Sequence, residues 1–75
     1  MVKATNESKN TSKVLGKKVV GLRHAYGMTQ DVLASKAGLN RKTIMEVEKG
    51  TQDLSLKSLT ALAGALGVKP SELIP

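Results

Sequence analysis

The stretch ASKAGLNRKTI, Ala34 to Ile44, decides how this chain folds. A segment that reads as helix runs into Ala-Gly-Leu-Asn, which ends it, and Arg41 and Lys42 then stand at the start of a second helix. Gly38 allows a sharp turn, since glycine alone takes positive φ without a steric penalty. Asn40 is an N-cap type for the helix that follows. On a wheel of about 100° per residue, Met45, Lys42 and Glu46 fall at roughly 40°, 100° and 140° from Arg41. Thr43, Val47 and Ile44 fall at about 200°, 240° and 300°, on the opposite face. Burying Ile44 and Val47 therefore turns Arg41, Lys42, Met45 and Glu46 outward as a group. They gather near a helix start, where free N–H groups and the macrodipole favour anions. The first helix stops so that the second is aimed outward.

The same signals punctuate the rest of the chain. Leu15, Val19, Leu22 and Tyr26 follow the i, i+4, i+7, i+11 rule of an amphipathic helix, which Gly27 ends. Thr29 caps the next helix, Leu33, Ala34 and Ala37 share its inner face, and Gly38 closes it. The third helix runs to Lys49 before Gly50, and a polar link, 51–53, leads to Ser55 as the cap of a fourth. Leu56, Leu59, Leu62, Ala63 and Leu66 form its buried stripe, Gly67 stops it, and Pro70 marks the start of a short fifth helix over 71–74. No segment alternates with period two, so the expected class is all-α with five short helices. Residues 1–12 are almost wholly polar and read as a flexible arm, leaving 13–75 as the folded domain.

Composition narrows the function. Seventy-five residues suffice for one small core. There is no Cys, so disulfides and thiolate metal sites are excluded. No run of about 18 apolar residues offers a membrane span, and the start lacks the apolar core of a secretory signal. The single aromatic residue, Tyr26, argues against a stacking platform for single-stranded nucleic acid. Twelve Lys and Arg against six Asp and Glu give a net charge of +6, which favours a polyanionic partner, most simply nucleic acid. A modest positive charge also serves solubility alone, so the charge does not decide the matter.

The segment GMTQDVLASKAGLNRKTIMEVEKG resembles the helix-turn-helix of the phage-repressor/Cro-like (XRE) family of DNA-binding regulators. The matching features are Thr29-Gln30, Leu33-Ala34, the turn Ala37-Gly38-Leu39, Ile44, and the Glu48-x-Gly50 ending. LGKKVVGLRHAYG resembles the family's first helix and LKSLTALAGALGV its fourth, so the resemblance covers about residues 13–74. It implies a compact five-helix lambda-repressor-like domain with the motif at about 29–48. It also implies an ion pair between Arg23 and Glu48, a positioning device whose loss on one side costs about 3–5 kcal/mol. Three positions depart from the pattern. Val32 stands where a polar exposed residue is usual, Leu54 replaces a frequent proline, and Lys69 replaces a Ser or Thr cap. None belongs to the outward set of helix 3.

For that set, Arg41 and Lys42 suit guanine O6 and N7, or phosphates. Glu46 suits a cytosine amino group, or a weak i, i+4 pair with Lys42 of about 0.3 kcal/mol; the two are compatible. Met45 is either a contact to a thymine methyl or an idle surface residue. By resemblance Thr29, Gln30 and Asn40 approach phosphates, with plain capping as the alternative for Thr29 and Asn40. Lys49, Thr51 and Gln52 lie where family members touch the backbone. His24 lies about 180° from the helix 1 stripe and has no second His or Cys to complete a metal site. No cofactor is expected, and an enzyme is disfavoured for want of a converging nucleophile, base or metal set.

The resemblance implies a sequence-specific double-stranded DNA-binding transcriptional regulator, prokaryotic or phage-encoded and cytoplasmic, with helix 3 in the major groove. One recognition helix contacts few base pairs, so a homodimer on a palindromic operator is expected. The smooth outer face of helix 4 (Ala61, Gly64, Ala65) and Ile74, which lacks an obvious internal partner, are its candidate interface. Nothing beyond the domain is visible, so the expectation is a stand-alone regulator: Cro-like repressor, antitoxin, or restriction–modification controller, which the LSLKSL segment slightly resembles. The alternative function is a module that acts mainly by binding a partner protein, as an antitoxin does.

Overall fold

The computed structural model describes residues 4–74, and among them there are five α-helices and no strand. They are α1 (Ala4–Ala25), α2 (Gln30–Ala37), α3 (Arg41–Lys49), α4 (Leu56–Leu66) and α5 (Pro70–Leu73). Helices as short as α2 and α3, at 8 and 9 residues, are not stable alone in water, where about 12–15 residues are needed. Caps and tertiary burial must hold them.

The caps are side chains of the types the sequence offers. Thr29 Oγ1 accepts from the Val32 N–H at 3.1 Å, Asn40 Oδ1 from the Thr43 N–H at 3.2 Å, and Ser55 Oγ from the Ser58 N–H at 3.1 Å. Each satisfies an otherwise orphaned donor and contributes about 1 kcal/mol. At the other end of α2, Gly38 has φ +69° and its N–H donates to Ser35 O, while the Leu39 N–H donates to Ala34 O at 2.9 Å. That is the Schellman arrangement, and it reverses the chain within two residues. Lys69, before α5, supplies no side-chain cap; Pro70 at the first position instead presets the helical φ.

Packing follows from the stripes. Leu15 and Val19 of α1, Leu33, Ala34 and Ala37 of α2, Ile44 and Val47 of α3, Leu59, Leu62, Ala63 and Leu66 of α4, and Leu73 of α5 form one buried cluster. Full burial of a side chain such as Ile44 or Leu62 contributes about 1.5–3 kcal/mol. The crossing of α1 over α3 is close because position 16 carries no side chain. A Cβ on Gly16 would stand 2.5 Å from the Val47 carbonyl oxygen and 2.8 Å from that of Glu48. Gly50, just past α3, lies similarly close to Lys13. The two glycines seat the end of α3 against α1.

Two residues expected on buried stripes are exposed, Tyr26 at 58% and Leu56 at 77%, because one lies just past the end of α1 and the other is the first residue of α4. The helix α1 begins at Ala4, well before Lys13. Its residues carry no helix breaker before Gly16, and once the packed part of α1 is nucleated each further residue adds one hydrogen bond at little cost. Ser12 Oγ also donates to Asp53 Oδ1 at 3.0 Å, which ties this part of α1 to the α3–α4 link. Met1 to Lys3 and Pro75 lie outside the described residues. Ile74 is 39% exposed and, with Leu15, Leu54 and Leu59, lines a surface depression of about 280 Å³.

Candidate nucleic-acid interface

The start of α3 is where charge, helix polarity and exposure coincide. Ile44 and Val47 are 0% exposed, and with that face fixed Arg41 and Lys42 project into solvent from the first turn. Met45 and Glu46 are on the same side one turn later but are half-buried. The outward set therefore grades from two exposed cations at the helix start to two partly covered residues behind them. Lys49 is exposed at the last turn.

The N-terminus of α2 lies beside this edge. Thr29, Gln30, Asp31 and Arg41 line one open depression of about 350 Å³ together with Arg23, Gly27 and Met28. Of its two arginines, Arg41 is exposed while Arg23 is largely buried and bonded to Glu48 and the Met28 carbonyl, and the Asp31 carboxylate is exposed beside them. The free N–H groups of the helix start and Arg41 favour an anion, and Asp31 opposes it. Asn40, by contrast, is occupied in capping: its Oδ1 also accepts from the Thr43 hydroxyl at 2.8 Å. The Thr29 oxygen accepts one bond and its hydroxyl proton stays available.

Behind the depression sits a charged network that links three helices. Arg23 of α1 donates from Nε to Glu48 Oε2 at 2.6 Å and from Nη2 to Glu48 Oε1 at 3.1 Å. Its Nη1 donates to the Met28 carbonyl at 3.0 Å, fixing the α1–α2 turn. Gln30 Nε2 donates to the same Glu48 Oε1 at 2.9 Å. The Arg23 and Glu48 side chains are only 12% and 8% exposed, so this is a largely desolvated fork-to-fork pair. One consequence concerns Gln30: its amide is tied inward by one N–H, leaving the other N–H and the oxygen for an external ligand.

Sequence reading missed a second pair. Asp31 Oδ1 lies 3.7 Å from Arg41 Nε, with side chains 74% and 60% exposed. The residues are ten apart on different helices, and only the turn geometry at Gly38 brings them together. Thr51 and Gln52 fall just beyond α3, where the Thr51 hydroxyl donates to the Glu46 carbonyl at 3.2 Å and Gln52 is half-buried. His24 is exposed at the end of α1. Val32 is exposed at 41%, an apolar residue on the outer side of α2.

On the far side, the solvent stripe of α4 is shifted by one residue from the expected one. Ala61 and Ala65 are half-buried, Ala65 against the core, while Leu56, Thr60 and Gly64 face out. Ala61 and Ala65 each precede a buried leucine, and a step of about 100° puts them at the margin of the buried face. Leu56 is 77% exposed.

Comparison with known proteins assigns this arrangement to a family. A family model described as helix-turn-helix, HTH_3, matches residues 22–73. The immunity repressor protein of Bacillus phage phi105 is 35% identical over 60 residues, 80% of this chain, which spans only 42% of that repressor's length. Control protein C.BamHI of Bacillus amyloliquefaciens is 35% identical over 66 residues, covering 87% of this chain and 82% of that protein. Among solved structures, the restriction-modification controller protein C.AhdI from Aeromonas hydrophila superposes with a TM-score of 0.80 at 36% identity, over 84% of this chain and 96% of that one.

Proposed function

This chain belongs to the helix-turn-helix family HTH_3, and on that premise we propose that it is a sequence-specific double-stranded DNA-binding transcriptional regulator that places α3 in the major groove. The observation that carries this reading is the split of α3 into two faces. Ile44 and Val47 are fully enclosed, and Arg41 and Lys42 are exposed at the helix start. Arg41, Lys42, Met45 and Glu46 read base edges. Thr29, Gln30, Asn40, Lys49, Thr51 and Gln52 meet the backbone. Asn40 contributes through the helix start it caps rather than through its engaged side-chain oxygen.

The subtype supported best is a controller of restriction–modification genes. What supports it is the likeness to two controllers, C.BamHI at 35% identity over 87% of this chain and C.AhdI at 36% over 84%. The regulator acts in the cytoplasm as a homodimer on a palindrome, joined through the outer surface of α4 and the Ile74 end, with Ala61 and Ala65 at the margin of the contact. No helix among the described residues is long and apolar enough to cross a membrane. No cluster of three metal-ligating side chains occurs among the described residues either.

The test is selection from a random duplex pool followed by titration at rising salt. A recovered palindrome, bound with a log–log salt slope near −0.9 per phosphate neutralised, supports the reading. Retention of no duplex would favour the other function, a module whose main partner is a protein.

A further inference from the structure

We propose that Asp31 is a specificity-determining positioning residue: its carboxylate, in ion-pair range of Arg41 Nε, biases the guanidinium to present its Nη end to base edges and penalises binding to phosphates alone. The inference rests on the proposed docking of α3 in the major groove.

Asp31 is out of place on a surface that otherwise suits anions. It lines the same depression as Thr29, Gln30, Arg23 and Arg41, where its negative charge opposes an approaching phosphate. Its position in the first turn of α2 favours the helix dipole, but an uncharged capping type would serve there without repelling DNA. What distinguishes Asp31 is its reach to Arg41, at 3.7 Å from Nε. Both side chains are mostly exposed, so in free protein the pair contributes little to stability. Its effect emerges when DNA excludes water and the attraction strengthens.

The donor arithmetic then favours one mode. A guanidinium has five N–H groups, one of them on Nε. Asp31 faces the Nε edge at 3.7 Å, an ion-pair separation too long for a hydrogen bond, so its negative charge disfavours an acceptor on that side and leaves the four N–H groups of the two Nη atoms for base edges. That end-on fork fits guanine O6 and N7 in a bidentate contact. Asp31 also offsets the charge of Arg41, so a duplex that offers only phosphates gains less from it. Discrimination arises by weakening the wrong complex as well as by strengthening the right one.

The test compares wild type with Asp31→Asn, Asp31→Glu, Arg41→Ala and Asp31→Asn/Arg41→Ala. Each binds the duplex recovered by selection with wild type, and a scrambled duplex of the same composition. Asp31→Asn is expected to bind the scrambled duplex several-fold more tightly and to lower the selected-to-scrambled ratio about tenfold. Asp31→Glu, which restores the charge, is expected to recover much of that ratio. In the Arg41→Ala background, Asp31→Asn is expected to leave the ratio unchanged. An equal gain on both duplexes with Arg41 present would overturn the inference and make Asp31 a simple repulsive charge. Wild type that selects no duplex overturns the DNA-binding reading itself, and this inference with it. Unchanged thermal unfolding of Asp31→Asn distinguishes either result from misfolding.

Discussion

Arg23 and Glu48 meet through two parallel hydrogen bonds, 2.6 and 3.1 Å long, and so tie the last turn of α1 to the last turn of α3. The pair has little contact with solvent, and Gln30 and the Met28 carbonyl complete its bonding. Glu48→Ala strands the guanidinium in this setting and is expected to cost about 3 kcal/mol. The double variant Arg23→Met/Glu48→Leu, which strands no charge and removes only the partners of the Gln30 amide and the Met28 carbonyl, is expected to lose less than Glu48→Ala alone. Urea unfolding of the three proteins checks the order.

Gly16 and Gly21 give opposite expectations for the same substitution on the same helix. Gly21 has nothing within 4 Å of a Cβ position, so Gly21→Ala is expected to stabilise by about 0.5–1 kcal/mol through helix propensity. Gly16→Ala drives a methyl into the Val47 and Glu48 carbonyls and is expected to destabilise by about 1–3 kcal/mol. Thermal unfolding decides it; equal shifts for both variants contradict the close crossing.

Val47→Asp places a carboxylate at a site with no exposure. A buried unpaired charge costs more than a domain this small can supply, so the variant is expected to be unfolded at room temperature. Retention of the wild-type helical circular dichroism and a normal melting temperature would show that α3 is misphased.

Arg41→Ala is expected to weaken binding to the selected duplex by about 1–3 kcal/mol and to relax preference at one base pair. Lys49→Ala, at the other end of α3, is expected to weaken all duplexes alike and to reduce the salt slope by about one. Base-by-base competition with substituted duplexes separates the two outcomes.

Most helix boundaries were legible because they are written locally. Thr29, Asn40 and Ser55 are cap residues placed just ahead of apolar periodicity, and the structure uses all three as caps. The inner face of α3 followed from the spacing of Ile44 and Val47 alone. The beginning of α1 was not legible, because a polar helix that extends from a packed one has no apolar stripe to announce it. Contacts between elements were hidden for a different reason. The Arg23–Glu48 pair was reachable only through resemblance to a family. The bond of Gln30 to Glu48 and the approach of Asp31 to Arg41 depend on how α2 and α3 are set against each other, which no short window of sequence contains. The shifted face of α4 shows the limit of counting: a one-residue error in phase moves a small side chain from surface to margin.

The side chains that lock α3 in place, Ile44 and Val47 inside and the bare crossing at Gly16 behind, share no position with Arg41 or Lys42. Such a helix can exchange its message while keeping its binding to the page. New pairs of residues at 41 and 42 would retarget the domain with almost no loss of stability, whereas changes at the half-covered Met45 and Glu46 would begin to disturb the scaffold.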